Sequence, residues 1–250
     1  MRVTRVHVNA ALHSGALLQL PDGPAQHLSR VLRLGPGAFL ALFNGTGGEY
    51  AATIESARRD EVMVRIGAHD PVERESALRV TLMQGVARGE KMDLILQKAT
   101  ELGVAAIVPV QMARSTVRIT EGNGEAKRRH WQSVVISACE QSGRNTVPAV
   151  SSSQSLQQSL AAATAHKLIL APAEGARTLV DWAAATALPA EPGARVSLLV
   201  GPEGGFEPAE AVAATAAGFV RVRLGPRILR TETAGLAALA ALQTLAGDLR

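Results

Sequence analysis

The stretch Val196-Ser197-Leu198-Leu199-Val200-Gly201-Pro202-Glu203-Gly204-Gly205-Phe206 decides the fold of this chain. The apolar run at its start reads as a buried strand, and the Gly-Pro pair stops it. The pattern recurs downstream, where residues 219–224 lead into Gly225-Pro226-Arg227-Ile228-Leu229-Arg230-Thr231-Glu232-Thr233-Ala234. A weaker copy lies upstream, Lys167-Leu168-Ile169-Leu170-Ala171-Pro172. Three strands that each end in a Pro turn predict three loops at one edge of a sheet. In open α/β sheets that edge is where ligands bind.

The flanking sequence agrees. Residues 78–85 read as a strand and 105–110 as another. Between them, residues 90–102 place Met92, Ile95, Leu96, Ala99 and Leu102 on one helical face, with Gly103 closing the helix. That is a βαβ unit, so a parallel sheet follows. Further helices are expected at 125–142, 177–186, 208–217 and 234–246, with 151–165 polar first and helical after. From about residue 78 onward the chain reads as α/β. Before it the period is shorter: strands at 2–8, 15–20, 38–43, 49–56 and 62–67, a helix over 21–33, and a Gly-rich turn at 44–48. This meander predicts a small barrel, and the charged stretch 70–77 reads as a linker.

Aromatic residues make up only 3% of the 250 residues, so the core must be aliphatic and Ala-rich. The charged start, Met1-Arg2-Val3-Thr4-Arg5, has no apolar segment behind it, which argues against a secretory signal. No apolar run is long enough for a membrane span. Cys139 is alone, which excludes an internal disulfide and fits a reducing cytoplasm. The histidines at 7, 13, 27, 69, 130 and 166 lack metal-ligand spacing, so no metal is expected. The net charge of +4 is modest and carried mostly by Arg, the side chain that forks onto phosphate.

Gly201–Gly205 is not a phosphate loop, since Gly-Lys-Ser/Thr is missing and Glu203 would repel phosphate. A glycine turn carrying a carboxylate suits a ligand with hydroxyls or positive charge, although an ordinary strand-to-helix turn would look similar. The second loop is more demanding, because a mere turn needs neither two Arg nor a Glu. Lys127-Arg128-Arg129, read as a helix start, together with Arg88, Lys91, Arg114, Arg144, Arg30 and Arg33, would form an RNA-binding surface. For any single one of them, solvated charge is the favoured reading. Cys139, beside Trp131 and Val135, reads as core rather than nucleophile, and no Gly-x-Ser-x-Gly elbow is present.

The strings QKATELGV (97–104), ACEQSGRN (138–145), LLVGPEGGF (198–206), LGPRILRTETA (224–234) and HLSRVLRLGPG (27–37) resemble the ribosomal RNA small subunit methyltransferase E family. These are uridine-N3 methyltransferases of the SPOUT superfamily, and the resemblance spans nearly the whole chain. It implies a small PUA-like β-barrel for RNA over 1–72 and a SPOUT-type α/β domain over 73–250 with a C-terminal trefoil knot. It further implies S-adenosylmethionine as cofactor, a homodimer, and a uridine of 16S ribosomal RNA in the small subunit as target.

By motif, the cofactor loops would be Leu170, Ala171 and Pro172; Gly201, Pro202, Glu203, Gly204 and Gly205; and Leu224, Gly225, Leu229, Arg230, Thr231, Thr233 and Ala234. These are the three Pro turns. Arg230 is the expected catalytic cation, and Glu232 would orient it or accept a proton. Glu207 stands where the family often has Ser or Thr as helix cap, which leaves the local helix start open. A non-catalytic RNA-binding module and a SPOUT enzyme acting on a ribose 2′-hydroxyl are the competing readings.

Overall fold

The structure, a computed structural model, describes residues 3–58, 61–163, 166–171, 175–188 and 193–249. Contacts divide the chain into two units. One is Met1–Glu75 with Ile136–Val147, and the other is Ser76–Val135 with Pro148–Arg250.

In the first unit, β1 (Thr4–His7), β2 (Leu17–Gln19), β3 (Phe39–Phe43), β4 (Glu49–Arg58) and β5 (Glu61–Asp70) form one sheet in the order β1-β3-β4-β5-β2. β1 and β3 run parallel and the other pairs antiparallel. Alternation on β4 and β5 turns Ala52, Ile54, Val64 and Ile66 inward to meet Val6, Leu28, Leu40 and Leu42. The helix expected over 21–33 forms as α1 (Asp22–Gln26) and continues as a π-helical turn, His27–Val31. That turn buries Leu28 and leaves Arg30 and Arg33 exposed.

The segment 136–147 joins this unit through charge. The Arg144 side chain is only 5% exposed. Its Nε donates to Glu75 Oε1 at 2.8 Å, and Nη2 pairs with the other Glu75 oxygen. Arg5 donates to the Arg144 carbonyl at 3.0 Å and to Asn145 Oδ1 at 2.6 Å. Arg144 was expected to meet RNA phosphate; here its guanidinium is spent on the half-buried carboxylate of Glu75. Removing one member of a buried pair strands the other charge. Arg144→Met should therefore cost about 3–5 kcal/mol, read as a shift in the urea midpoint. Restoration by adding Glu75→Gln would identify the stranded carboxylate as the cause, whereas an additive double variant would exclude it. Cys139 is buried beside this network, and burial pushes its thiol up to about 12, so it is core.

The second unit is α/β with an eight-stranded parallel sheet among the described residues. Its strands are β6 (Arg79–Gly85), β7 (Ala106–Gln111), β8 (Ala149–Val150), β9 (Gln154–Ser155), β10 (His166–Leu170), β11 (Arg177–Thr178), β12 (Arg195–Val200) and β13 (Val220–Arg223). The order is β11-β13-β10-β12-β6-β7-β8, with β9 also beside β7. The helices are α2 (Glu90–Glu101), α3 (Glu121–Ser142, which belongs to this unit as far as Val135), α4 (Leu156–Ala162), α5 (Leu179–Ala185), α6 (Pro208–Ala216) and α7 (Thr231–Ala246). Met83, Val110, Ile169, Leu199 and Phe219 form one core cluster between sheet and helices.

Two helix starts differ from the sequence expectation. α3 begins at Glu121, not at 125, because the Thr120 N–H finds the Asn123 side chain at 3.0 Å, which offsets the poor propensity of Gly122 and Gly124. Lys127-Arg128-Arg129 thus lie in the second turn, beyond the reach of the dipole that would have opposed them. α7 begins at Thr231, not at 234. Arg230 is its N-cap, with extended φ −66° and ψ 157°, and its carbonyl accepts from Thr233 at 2.9 Å and Ala234 at 2.8 Å. The start of α6 is also settled. Pro208 opens it, and the Glu207 N–H donates to Glu210 Oε2 at 2.8 Å.

Candidate functional site

β13, β10 and β12 are consecutive and parallel in the sheet, so their C-terminal ends lie at one edge. The loops that leave them enclose a cavity of about 590 Å³. That volume is within the usual range for small-molecule sites. Leu170, Ala171, Gly201, Pro202, Glu203, Gly204, Gly205, Leu224, Leu229, Arg230, Thr231 and Ala234 all line it. Gly225 and Thr233 are not among the lining residues, and Pro172 lies outside the described residues. Sequence reading missed Val200, Phe206, Arg221, Arg223 and Ile228, which also face the cavity. Ile228 is 92% exposed at its rim.

The floor is held by a residue that no motif singled out. Gln84, fully buried on β6, donates from Nε2 to the Gly85 carbonyl at 3.0 Å and to Thr231 Oγ1 at 3.0 Å. Thr231 in turn donates to the Gly201 carbonyl at 2.5 Å. One amide therefore fastens β6, the loop after β12 and the first turn of α7. The only hint in the sequence is a lone amide in an apolar strand.

The loop after β12 is also clasped from outside. Arg114 Nη1 donates to the Gly204 carbonyl at 3.1 Å, and a Cβ at Gly204 would come within 2.8 Å of Arg114 Cβ. Part of Arg114 is thus spent on the loop rather than held ready for phosphate. The Arg88 N–H donates to Glu203 Oε1 at 2.9 Å, while its side chain stays exposed. The other Glu203 oxygen is buried with no hydrogen-bond partner among the described residues. A buried lone acceptor is costly unless something donates to it.

Lys91 was expected to contact phosphate, but it sits between two carboxylates. Its Nζ is 3.9 Å from Glu203 Oε1 and 3.7 Å from Glu232 Oε1. Glu232, expected to orient Arg230 or accept a proton, meets Lys91 here and makes no ion pair with Arg230 among the described residues. Arg230 is exposed on the cavity wall and makes no ion pair among the described residues. Of the remaining basic residues, Arg128 pairs with Glu125 at 2.6 Å, Lys127 is half-buried, and Arg129 is exposed. Among the described residues, no group of three or more His, Cys, Asp and Glu could hold a metal ion, and no helix is long and apolar enough to cross a membrane.

The chain matches the RNA methyltransferase domain family over residues 74–243 and the RNA methyltransferase PUA domain family over 20–67. It is 34% identical over 228 residues to ribosomal RNA small subunit methyltransferase E of Bacillus subtilis, covering 89% of both chains. It is 30% identical to the protein of the same name from Buchnera aphidicola of Schizaphis graminum, covering 99% of this chain and 98% of that one. Among solved structures, it superimposes on ribosomal RNA small subunit methyltransferase E of Neisseria gonorrhoeae, bound to S-adenosylmethionine. There the TM-score is 0.89, with 39% identity and both chains fully covered. A Legionella pneumophila protein with the same cofactor bound gives a TM-score of 0.94 and 40% identity, again over the whole of both chains.

Proposed function

This chain belongs to the ribosomal RNA small subunit methyltransferase E family, and on that premise we propose that it methylates N3 of one uridine in 16S ribosomal RNA, using S-adenosylmethionine. The observation that carries the reading is the three-loop cavity with its orphaned Glu203 oxygen. A ligand with ribose hydroxyls and a sulfonium supplies the donor or positive charge that this oxygen lacks. The apolar side chains of Leu170, Phe206, Leu224 and Leu229 suit a flat base. An RNA-binding module without catalysis would need no such cavity.

When bound, the cofactor supplies a methyl group already activated by positive sulfur, so the protein's task is placement and charge control. Arg230, on the cavity wall and without an ion pair among the described residues, is the cation for the charge that develops on the uracil carbonyl oxygens as N3 loses its proton. Glu232, the second residue of the helix, is the proton acceptor; its Oε2 has no hydrogen-bond partner among the described residues.

We place the PUA-like barrel at 1–72 and the SPOUT domain at 73–250. The trefoil knot falls in the C-terminal part. Its support is the strand order: after β13, beyond β10, the chain returns through α7 to Gln84 on β6. The exposed Arg30, Arg33, Arg88 and Arg129, with Lys127, are the proposed phosphate contacts. The working unit is a cytoplasmic homodimer acting on the RNA or the small subunit.

Calorimetric titration with S-adenosylmethionine, with NAD as control, should give saturable binding for the former alone. Mass mapping of treated 16S RNA should then place one added methyl on a uracil base. A folded protein that bound neither ligand, with or without RNA, would rule out the enzyme. A methyl on ribose would leave the class intact and reject the N3 target.

A further inference from the structure

Lys91 lies in the first turn of α2, where basic residues are not favoured by the dipole. Sequence alone made it a phosphate contact. Its surroundings argue otherwise. The two carboxylates within 4 Å of its ammonium come from separate elements, Glu203 from the loop after β12 and Glu232 from the first turn of α7. Each keeps one buried oxygen without a hydrogen-bond partner among the described residues. Two anions around one cation leave the spot net negative, which repels phosphate. The end of β6 and the loop before α2 grip that loop twice more, through the packing of Gly85 on Pro202 and through the Arg88 N–H on Glu203.

We propose that Lys91 is a positioning residue that holds Glu203 and Glu232 side by side, so that the cofactor loop and the start of α7 are arranged as one site. This rests on the functional reading above and assigns Lys91 a part within it. The ammonium cancels the repulsion that would drive the two carboxylates apart in a poorly hydrated setting. Each carboxylate meets the ammonium through Oε1 and keeps an Oε2 that has no hydrogen-bond partner among the described residues. On this account Glu203 serves the cofactor and Glu232 serves the base, and Lys91 touches neither.

Lys91→Met and Lys91→Arg separate the possibilities. The side chain is 38% exposed, so neither change should prevent folding, and a thermal melt would verify this. With Lys91→Met, the calorimetric Kd for S-adenosylmethionine should rise about tenfold, with turnover reduced as well. Lys91→Arg, which keeps the charge, should stay within about threefold of wild type in Kd. The salt dependence of binding to transcribed 16S RNA should be unchanged in both. Arg129→Ala, by comparison, should lower the salt slope by about one. The proposal is overturned if Lys91→Met binds the cofactor as wild type does, whether or not its salt slope falls; a fallen slope would make Lys91 a phosphate contact. It is also overturned if Lys91→Arg fails as badly as Lys91→Met, since charge would then not be the cause. Wild-type protein that bound no S-adenosylmethionine would instead bring down the functional reading itself, and the role of Lys91 with it.

Discussion

Arg230→Ala should reduce methyl transfer about 10²–10³-fold at saturating cofactor, the usual loss when a fixed donor to a developing oxyanion is removed. The fold should survive the change. Arg230 caps α7 with its backbone carbonyl, which the substitution keeps. Its side chain makes no ion pair among the described residues that would be left stranded. Cofactor affinity should therefore change little, within about threefold, while single-turnover rates collapse. Arg230→Lys should recover part of the rate, since the charge remains but the planar fork is lost. Full activity in Arg230→Ala with unchanged cofactor affinity would remove Arg230 from the chemistry. A loss confined to cofactor affinity would make it a binding residue only.

How much of this site could be read in advance follows from the range of the signals. The three Pro turns were legible because strand, turn and loop residue types are all local in sequence. The parallel sheet then brings their ends together, since β13, β10 and β12 are neighbours. The missing Gly-Lys-Ser/Thr and the carboxylate of Glu203 already excluded a phosphate loop.

What the sequence could not disclose is pairing over distance. Gln84 and Thr231 meet across 147 positions, and Arg144 and Glu75 across 69. Nothing near Arg144 distinguishes a buried cation from a solvated one. The same blindness made Lys91 look like a phosphate ligand. Likewise the start of α3 depends on one side chain closing onto the Thr120 N–H, which no propensity scale anticipates. That the segment 136–147 packs with the first unit is another consequence of tertiary contacts.

Gly85→Ala should be the most damaging small substitution in the second unit. A Cβ at Gly85 would lie 2.5 Å from the Pro202 nitrogen and 2.8 Å from the Gly201 carbonyl carbon. Both are backbone atoms of the loop after β12, and no side-chain rotation relieves the contact. The loop must therefore shift. That shift would disturb the Thr231–Gly201 bond and the seat of Glu203 together. Overpacking of this kind costs about 1–3 kcal/mol in stability. The effect on function should be larger, because the displaced atoms line the cavity; a rise of about 30-fold or more in the Kd for S-adenosylmethionine corresponds to roughly 2 kcal/mol. Gly35→Ala, where the added methyl meets nothing within 4 Å, serves as control and should alter neither stability nor binding. Urea titration and calorimetry on both variants decide the matter. Wild-type affinity in Gly85→Ala would mean that the loop is not pressed onto β6, and the tight seat inferred for Glu203 would go with it.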